Sequence, residues 1–246
     1  MLFNCEAWYN LTGAELDLME TIDLQFLRQL LQAPKSTPKE MLFLELGCKP
    51  FREIIRERRL GFLHYILNED PESMVHQFFQ TQLRNRTKKD WVTTILDDLE
   101  QLNMKELNLE KIKSMKKSSF MKIVKQNNHE KSFLSLETVK KSHSKVKQVE
   151  HNSFQMQKYL KPNSTKITME EAQLIFKLRC RVTEAKVNLK GKFDNLECGA
   201  CGLEEENQQH IVECKELNGS MNIEKLNYNN LLSGTVTEKL KIAKKI

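Results

Sequence analysis

Pro50-Phe51-Arg52-Glu53-Ile54-Ile55-Arg56-Glu57-Arg58-Arg59-Leu60-Gly61-Phe62-Leu63-His64-Tyr65-Ile66-Leu67-Asn68 reads as the longest run of helical periodicity in the chain. Proline at its start suits the first turn of a helix, where a missing N–H breaks no bond. Phe51, Ile54, Ile55, Phe62 and Tyr65 fall on one face, the stripe an amphipathic helix buries. Arg52, Arg56 and Arg59, spaced three and four apart, form a second stripe beside it. Guanidinium forks suit phosphate, yet the same stripe reads equally well as a solvated face paired to Glu53 and Glu57. Both readings stay open at this stage.

The flanks repeat the helical signal. Thr12-x-x-Glu15 is a capping box whose helix carries Leu16, Met19, Ile22, Phe26 and Leu30 before Pro34 stops it. Thr37-Pro38-Lys39-Glu40 reads as a second box, leading into Met41-Leu42-Phe43-Leu44-Glu45-Leu46 and a stop at Gly47. Two boxes so close predict short antiparallel helices. Downstream, Asp70-Pro71-Glu72 is expected to cap a helix with Met74, Val75, Phe78, Phe79 and Leu83, and Trp91, Ile95, Leu99 and Leu102 make another amphipathic series. His64 and His76 have no partners at ligand spacing and read as core-edge histidines. A third box, Thr168-x-x-Glu171, opens the run from Ala172 to Arg181. With only 8 glycines and 5 prolines in 246 residues, the chain is expected to be all-α, a multi-helix bundle of short antiparallel helices with a small C-terminal zinc knuckle.

That knuckle is the pattern Cys198-x2-Cys201, eight residues, then His210-x3-Cys214. Cys-x2-Cys sets two thiolates on one side of a tight turn, and His210 and Cys214 share a face if a short helix carries them. Three sulfurs and one imidazole complete a tetrahedron and leave no position for water or substrate, so one zinc bound there is structural. Chance cysteines or a disulfide are the bland alternative. Gly202 suits a turn with positive φ, and Glu204-Glu205-Glu206 reads as an exposed loop between the ligand pairs.

Residues 104–147 hold twelve lysines against four glutamates with no arginine or aspartate, an excess of eight positive charges. Ile112, Met115, Phe120 and Val124 keep helical spacing there, so the stretch reads as helices on a basic surface. Lys113, Lys116, Lys117, Lys140, Lys141 and Lys145, with the arginine stripe, are the candidate contacts to a nucleic-acid backbone. A merely solvated lysine face is the alternative. The overall net charge of +6 permits a polyanionic partner. No leader pattern and no long apolar run is present, so an intracellular protein of nucleus or cytoplasm with no membrane partner is expected. The scattered Cys5, Cys48 and Cys180 do not form a disulfide framework.

Glu6-Ala7-Trp8-Tyr9-Asn10-Leu11-Thr12, the Leu27-to-Glu40 run, Leu44-Glu45-Leu46-Gly47 and Arg58-Arg59-Leu60-x-Phe62-Leu63-His64-Tyr65-Ile66-Leu67 resemble the C-terminal part of LINE-type, non-long-terminal-repeat retrotransposon reverse transcriptases. His143-Ser144-Lys145-Val146, Tyr159-Leu160-x-Pro162, Phe176-Lys177-Leu178-Arg179 and the knuckle follow in the same order. The resemblance implies a region after the polymerase thumb that binds element RNA or target DNA, in a chain longer than this one, with an upstream polymerase domain as partner. The abrupt opening, Met1 to Tyr9, fits that expectation. The palm aspartates of that family have no counterpart: Asp97-Asp98 lies on an amphipathic helical pattern. The chain is therefore expected to be non-catalytic. A helical interaction scaffold with a structural zinc and a portion of an active polymerase are the alternatives. The expected divisions are a helical domain at 1–103, a lysine-rich connector at 104–150, a helix plus knuckle at 151–218 and a helical tail at 219–246.

Overall fold

The computed structural model describes residues 3–142, 146, 154–161, 167–183, 185–189 and 191–220. Lys145 and the tail beyond Ser220 lie outside the described residues. Ten α-helices are present among the described residues: α1 (Gly13–Leu31), α2 (Lys39–Leu46), α3 (Phe51–Asn68), α4 (Met74–Arg84), α5 (Trp91–Gln101), α6 (Leu109–Ser114), α7 (Lys117–Ser142), α8 (Met169–Arg179), α9 (Gln208–Glu213) and α10 (Lys215–Ser220). Single 3₁₀ turns occur at Cys5–Ala7, Lys158–Leu160 and Lys186–Leu189. The architecture is all-α, as the composition predicts. At 26 residues α7 is longer than the 18-residue α3, so α3 is not the longest helix. The polar residues of α7 had masked its length.

Local chemistry explains the helix starts. The Thr12 box forms: Glu15 N–H donates to Thr12 Oγ1 at 3.2 Å, and Thr12 N–H donates to Glu15 Oε2 at 2.7 Å. The Thr168–Glu171 box also forms. Ser73, rather than Asp70, caps α4 by accepting from His76 N–H, and Asp90 and Asn108 cap α5 and α6. The Thr37 box does not form. The Thr37 hydroxyl is buried with no hydrogen-bond partner, because the Thr37 backbone N–H turns back to Pro34 O at 2.9 Å and helix α2 starts after Pro38.

Two compact units divide the chain, one of Met1–Asp23 and Lys49–Thr138, the other of Leu24–Cys48 and Val139–Ile246. In the first, Leu60, Leu63, Ile66 and Leu67 of α3 form one core with Phe79 of α4, Trp91, Val92, Ile95 and Leu99 of α5, Ile112 of α6, and Phe120 and Val124 of α7. Residues 104–138 therefore pack in one unit with 1–23 and 49–103. The lysine-rich helices bury an apolar stripe in this core, which a free connector could not do.

The buried face of α3 is also displaced from the expected one. Tyr65 is 46% exposed, while Arg56 and Arg59 are each 8% exposed. Their partner is Asp98 of α5, itself 3% exposed. Arg59 holds it with two parallel bonds, Nε to Oδ2 at 2.8 Å and Nη2 to Oδ1 at 3.0 Å, and Arg56 Nε reaches Oδ1 at 3.4 Å. Arg56 also donates to Gln101 Oε1 at 2.6 Å and to Asn128 Oδ1 of α7 at 3.0 Å. The arginines therefore face inward, paired neither to phosphate nor to Glu53 and Glu57. Both histidines are core-edge, each ring nitrogen meeting a backbone carbonyl: His64 at Met115 O (2.8 Å) and His76 at Ile66 O (3.0 Å).

In the second unit Glu45 of α2, fully buried, is held by Arg179 of α8, whose Nε lies 3.0 Å from both carboxylate oxygens. Tyr159 hydroxyl donates to the same carboxylate, and burial, then Glu45, pushes its pKa well above the ordinary value. Gly47 ends α2 with φ +65°, and a Cβ there would sit 2.1 Å from Met156 N. Only glycine satisfies both the turn and this backbone approach.

Two expectations follow. Asp98→Asn leaves two buried guanidiniums facing a neutral amide, and a loss of about 3 kcal/mol is expected in urea unfolding. Glu53, on α3, has its carboxyl pushed from 4.5 up to about 7, by burial first and then by Glu57, against the opposing pull of Lys49. A folded value above the unfolded one means the folded chain holds the extra proton. The stability it brings is complete below 4.5 and is lost as pH rises towards 7. Glu53→Gln should match the parent at pH 4 and exceed it by on the order of 1–2 kcal/mol at pH 8, read from urea midpoints.

Candidate metal centre

Residues 196–214 fold back on themselves through backbone bonds. Cys198 N–H donates to Glu204 O at 2.7 Å and Glu206 N–H to Leu196 O at 2.7 Å, around an isolated bridge between Glu197 and Glu205. Gly202, at φ +63°, closes the turn as its N–H donates to Cys198 O at 2.8 Å. Asn207 then caps α9, accepting from His210 N–H at 2.8 Å, and α9 carries His210 one turn before Cys214.

These elements bring together all four residues expected as ligands. One donor atom from each of Cys198, Cys201, His210 and Cys214 lies within 4.8 Å of the others. Cys198 Sγ and Cys214 Sγ are 4.0 Å apart, and Cys201 Sγ is 3.3 Å from His210 Nε2. Two sulfurs about 2.3 Å from a tetrahedral centre stand about 3.8 Å apart, and a sulfur and a nitrogen somewhat closer. The separations fit a shared ion. A disulfide needs about 2.05 Å, and all three cysteines are free.

The electrostatics of the donor groups divide: Cys198 is shifted towards its thiolate, whereas Cys214 and His210 are shifted towards their protonated forms. Burial pushes the Cys198 thiol up, but the N–H groups of Cys201 and Ala200, with His210, outweigh it and bring the group down to about 7. Burial dominates at Cys214 and raises it. His210 Nδ1 lies 3.1 Å from Glu204 Oε2. The carboxylate there accepts a hydrogen bond from Nδ1–H, which holds the proton on Nδ1 and leaves the Nε2 lone pair facing the thiols. Glu204 stays exposed, as expected of the loop, and is in addition a hydrogen-bond partner of the site. Nothing in the sequence separates it from its two glutamate neighbours. Lys186 and Glu206 brace the turn from outside: Lys186 Nζ donates to Glu197 O at 2.7 Å, and Glu206 Oε2 accepts from Gly199 N–H at 3.4 Å. Gln208 ties α9 to α8, donating to Leu178 O at 2.6 Å while accepting from Thr183 Oγ1 at 2.8 Å.

The candidate phosphate contacts divide. Arg56 and Arg59 are consumed by Asp98. Arg52 is partly exposed and bonded to Asp17 Oδ1 at 2.6 Å and to Gly13 O. Lys113 is exposed on α6, Lys116 in the link after it and Lys117 at the start of α7, and Lys141 is exposed and Lys140 half-buried at the end of α7. The knuckle's own surroundings are largely acidic: Glu197, Glu204, Glu205, Glu206, Glu213 and Glu216 outnumber Lys186 and Lys215. No protein-family model, curated protein or solved structure matches the chain.

Reduced protein should carry one equivalent of metal ion by elemental analysis, lost on Cys201→Ser. Glu204→Gln should keep the ion but weaken its affinity about tenfold in a chelator competition, because it loosens the His210 ring without removing a ligand.

Proposed function

We propose that this chain is a non-catalytic nucleic-acid-binding piece related to the region after the thumb of LINE-type retrotransposon reverse transcriptases. Element RNA or target DNA lies along the lysine-bearing helices, and one structural zinc ion organises the knuckle. The observation that carries this reading is the surface of α6 and α7, which buries Ile112, Phe120 and Val124 on one side and presents Lys113, Lys116, Lys117, Lys122 and Lys125 to solvent on the other. A rigid array of ammonium groups of one sign tracks a phosphate backbone and releases its counterions. The order of motifs along the sequence supports the family, and the Cys3His donor set, closed and soft, supports zinc in a structural role. The glutamates around the knuckle repel phosphate, so nucleic-acid contact is assigned to the helices.

The non-catalytic reading draws on Asp97 and Asp98. Consecutive on α5, they point about 100° apart, and Asp98 is buried between guanidiniums while Asp97 is exposed. Such a pair does not converge on magnesium ions. No helix among the described residues is long and apolar enough to cross a membrane, and a setting in nucleus or cytoplasm, beside an upstream polymerase domain, goes with the proposal. A second reading, an interaction scaffold, is favoured by Leu18, Ile22, Phe26 and Leu30, four apart along α1 and 63%, 42%, 62% and 39% exposed.

Binding to single-stranded nucleic acid should weaken with salt. About five neutralised phosphates give a slope of log K against log salt near −3.5. Changing Lys113, Lys116 and Lys117 to Gln should flatten it to about −1.4. Absence of binding at low salt, or a slope indifferent to these changes, favours the scaffold.

A further inference from the structure

The first unit contains an open groove of about 580 Å³ with an aromatic and cationic lining. Arg58, Gly61, Phe62 and Tyr65 line it from α3, at helical spacings of three and four, and Lys117, Met121 and Lys125 line it from α7, four apart. Gly61 forms part of the floor. A Cβ there would meet only the flexible end of Met121, at 3.5 Å, so nothing in the packing demands a glycine. Mid-helix glycine costs about 1 kcal/mol relative to alanine, and its effect here is to keep the groove open.

The wall is aromatic and anchored. Tyr65 stacks on Phe62 with ring centroids 5.8 Å apart and planes 12° apart. Phe62 meets Trp91 edge-on at 5.8 Å, and Trp91 meets Phe79 in the same manner at 6.2 Å. The Trp91 indole N–H donates to Glu6 O at 2.8 Å. Tyr65 is the outermost ring of this series, 46% exposed, with its hydroxyl bonded to Glu69. The stack on Phe62 biases its plane before anything binds. Of the two carboxylates lining the groove, Glu57 is already paired with Lys49 and accepts from Asn128, and Glu6 shares the lining with the exposed Lys117 and Lys125. They stand eight residues, about 12 Å, apart along α7.

We propose that this groove binds single-stranded nucleic acid, one base stacking on Tyr65 while Lys117 and Lys125 hold the phosphates on either side. The inference rests on the nucleic-acid reading above and gives it a location and a strand preference. A pre-oriented aromatic face beside separated ammonium groups is the combination that binds unpaired strands with little sequence preference, since every base offers a π face. A duplex keeps its bases stacked on each other and offers none.

The test uses the full chain and a fluorescein-labelled oligothymidylate, read by anisotropy. Tyr65→Ala should weaken binding about tenfold and Tyr65→Phe should not, because stacking needs the ring and not the hydroxyl. Gly61→Leu, which fills the groove, should weaken binding similarly, with unchanged helicity by circular dichroism in each case. Lys117→Gln with Lys125→Gln should reduce the salt slope by about 1.4. A 5-bromouracil probe should crosslink to Tyr65. If the parent chain binds nothing at low salt, this inference and the nucleic-acid reading fall together. Salt-dependent binding that Tyr65→Ala and Gly61→Leu leave within twofold, without a crosslink at Tyr65, overturns the groove and spares the broader reading. Self-association abolished by Gly61→Leu, with no crosslink, assigns the groove to a protein partner and also overturns the proposal.

Discussion

Asp98 is a carboxylate withdrawn from water between two guanidiniums, and the first unit is arranged to keep it there. An unpaired charge at that depth costs several kcal/mol, and paired correctly it fixes position more than it adds stability. Arg59 and Arg56, on one face of α3, grip Asp98 of α5 from two directions, and Arg56 continues to Asn128 of α7. Three helices are thereby held in one register, because a bidentate guanidinium–carboxylate pair tolerates little displacement. The apolar core around it would accept small slips; the ion cluster does not. The second unit repeats the device with Glu45, Arg179 and Tyr159.

These clusters mark where sequence reasoning stopped. The all-α class, most helix spans and two of three capping boxes depend on residues within a few positions of each other, and those were legible. So was the metal centre, since Cys-x2-Cys and His-x3-Cys carry their geometry in their spacing. The facing of α3 was not. Its apolar residues fit a stripe through Phe51, Ile54 and Tyr65 as well as one through Ile55, Leu60 and Leu63, and only Asp98, 39 positions from Arg59, decides between them. Arginine defaults to solvent unless a partner is known. The Thr37 box failed for a related reason: its four letters fit, but Arg28 Nη2 bonding to Thr37 O belongs to a turn that local pattern does not encode.

The metal centre and the lysine surface also differ in what they require of the chain. The four ligands converge on a fold-back of 19 residues, 196–214, with one isolated bridge and one short helix, too little apolar area to order itself. Metal binding free energy is folding free energy in such a segment. Its exposed glutamates, Glu197 and Glu205 among them, stand outside the donor set and leave that role to the three sulfurs and His210. The same glutamates would obstruct a phosphate. On the proposed reading, structure and ligand contact are separated by the sign of the local charge.

On the proposed nucleic-acid reading, the lysines of α6 and α7 gain from the core beneath them. An ammonium on a flexible segment loses conformational entropy when it meets a phosphate, whereas one on a helix already packed through Phe120 and Val124 loses only its side-chain share. The aromatic series from Phe79 through Trp91 and Phe62 does for Tyr65 what the core does for the lysines: it biases the ring's orientation before contact. A preorganised ring and preorganised charges on facing helices raise affinity by reducing what must be ordered. The rigidity that Asp98 imposes on α3, α5 and α7 therefore extends to the groove, since Arg56 and Arg59 lie on the same helix as Gly61, Phe62 and Tyr65, and Asn128 lies on the helix that carries Lys117 and Lys125.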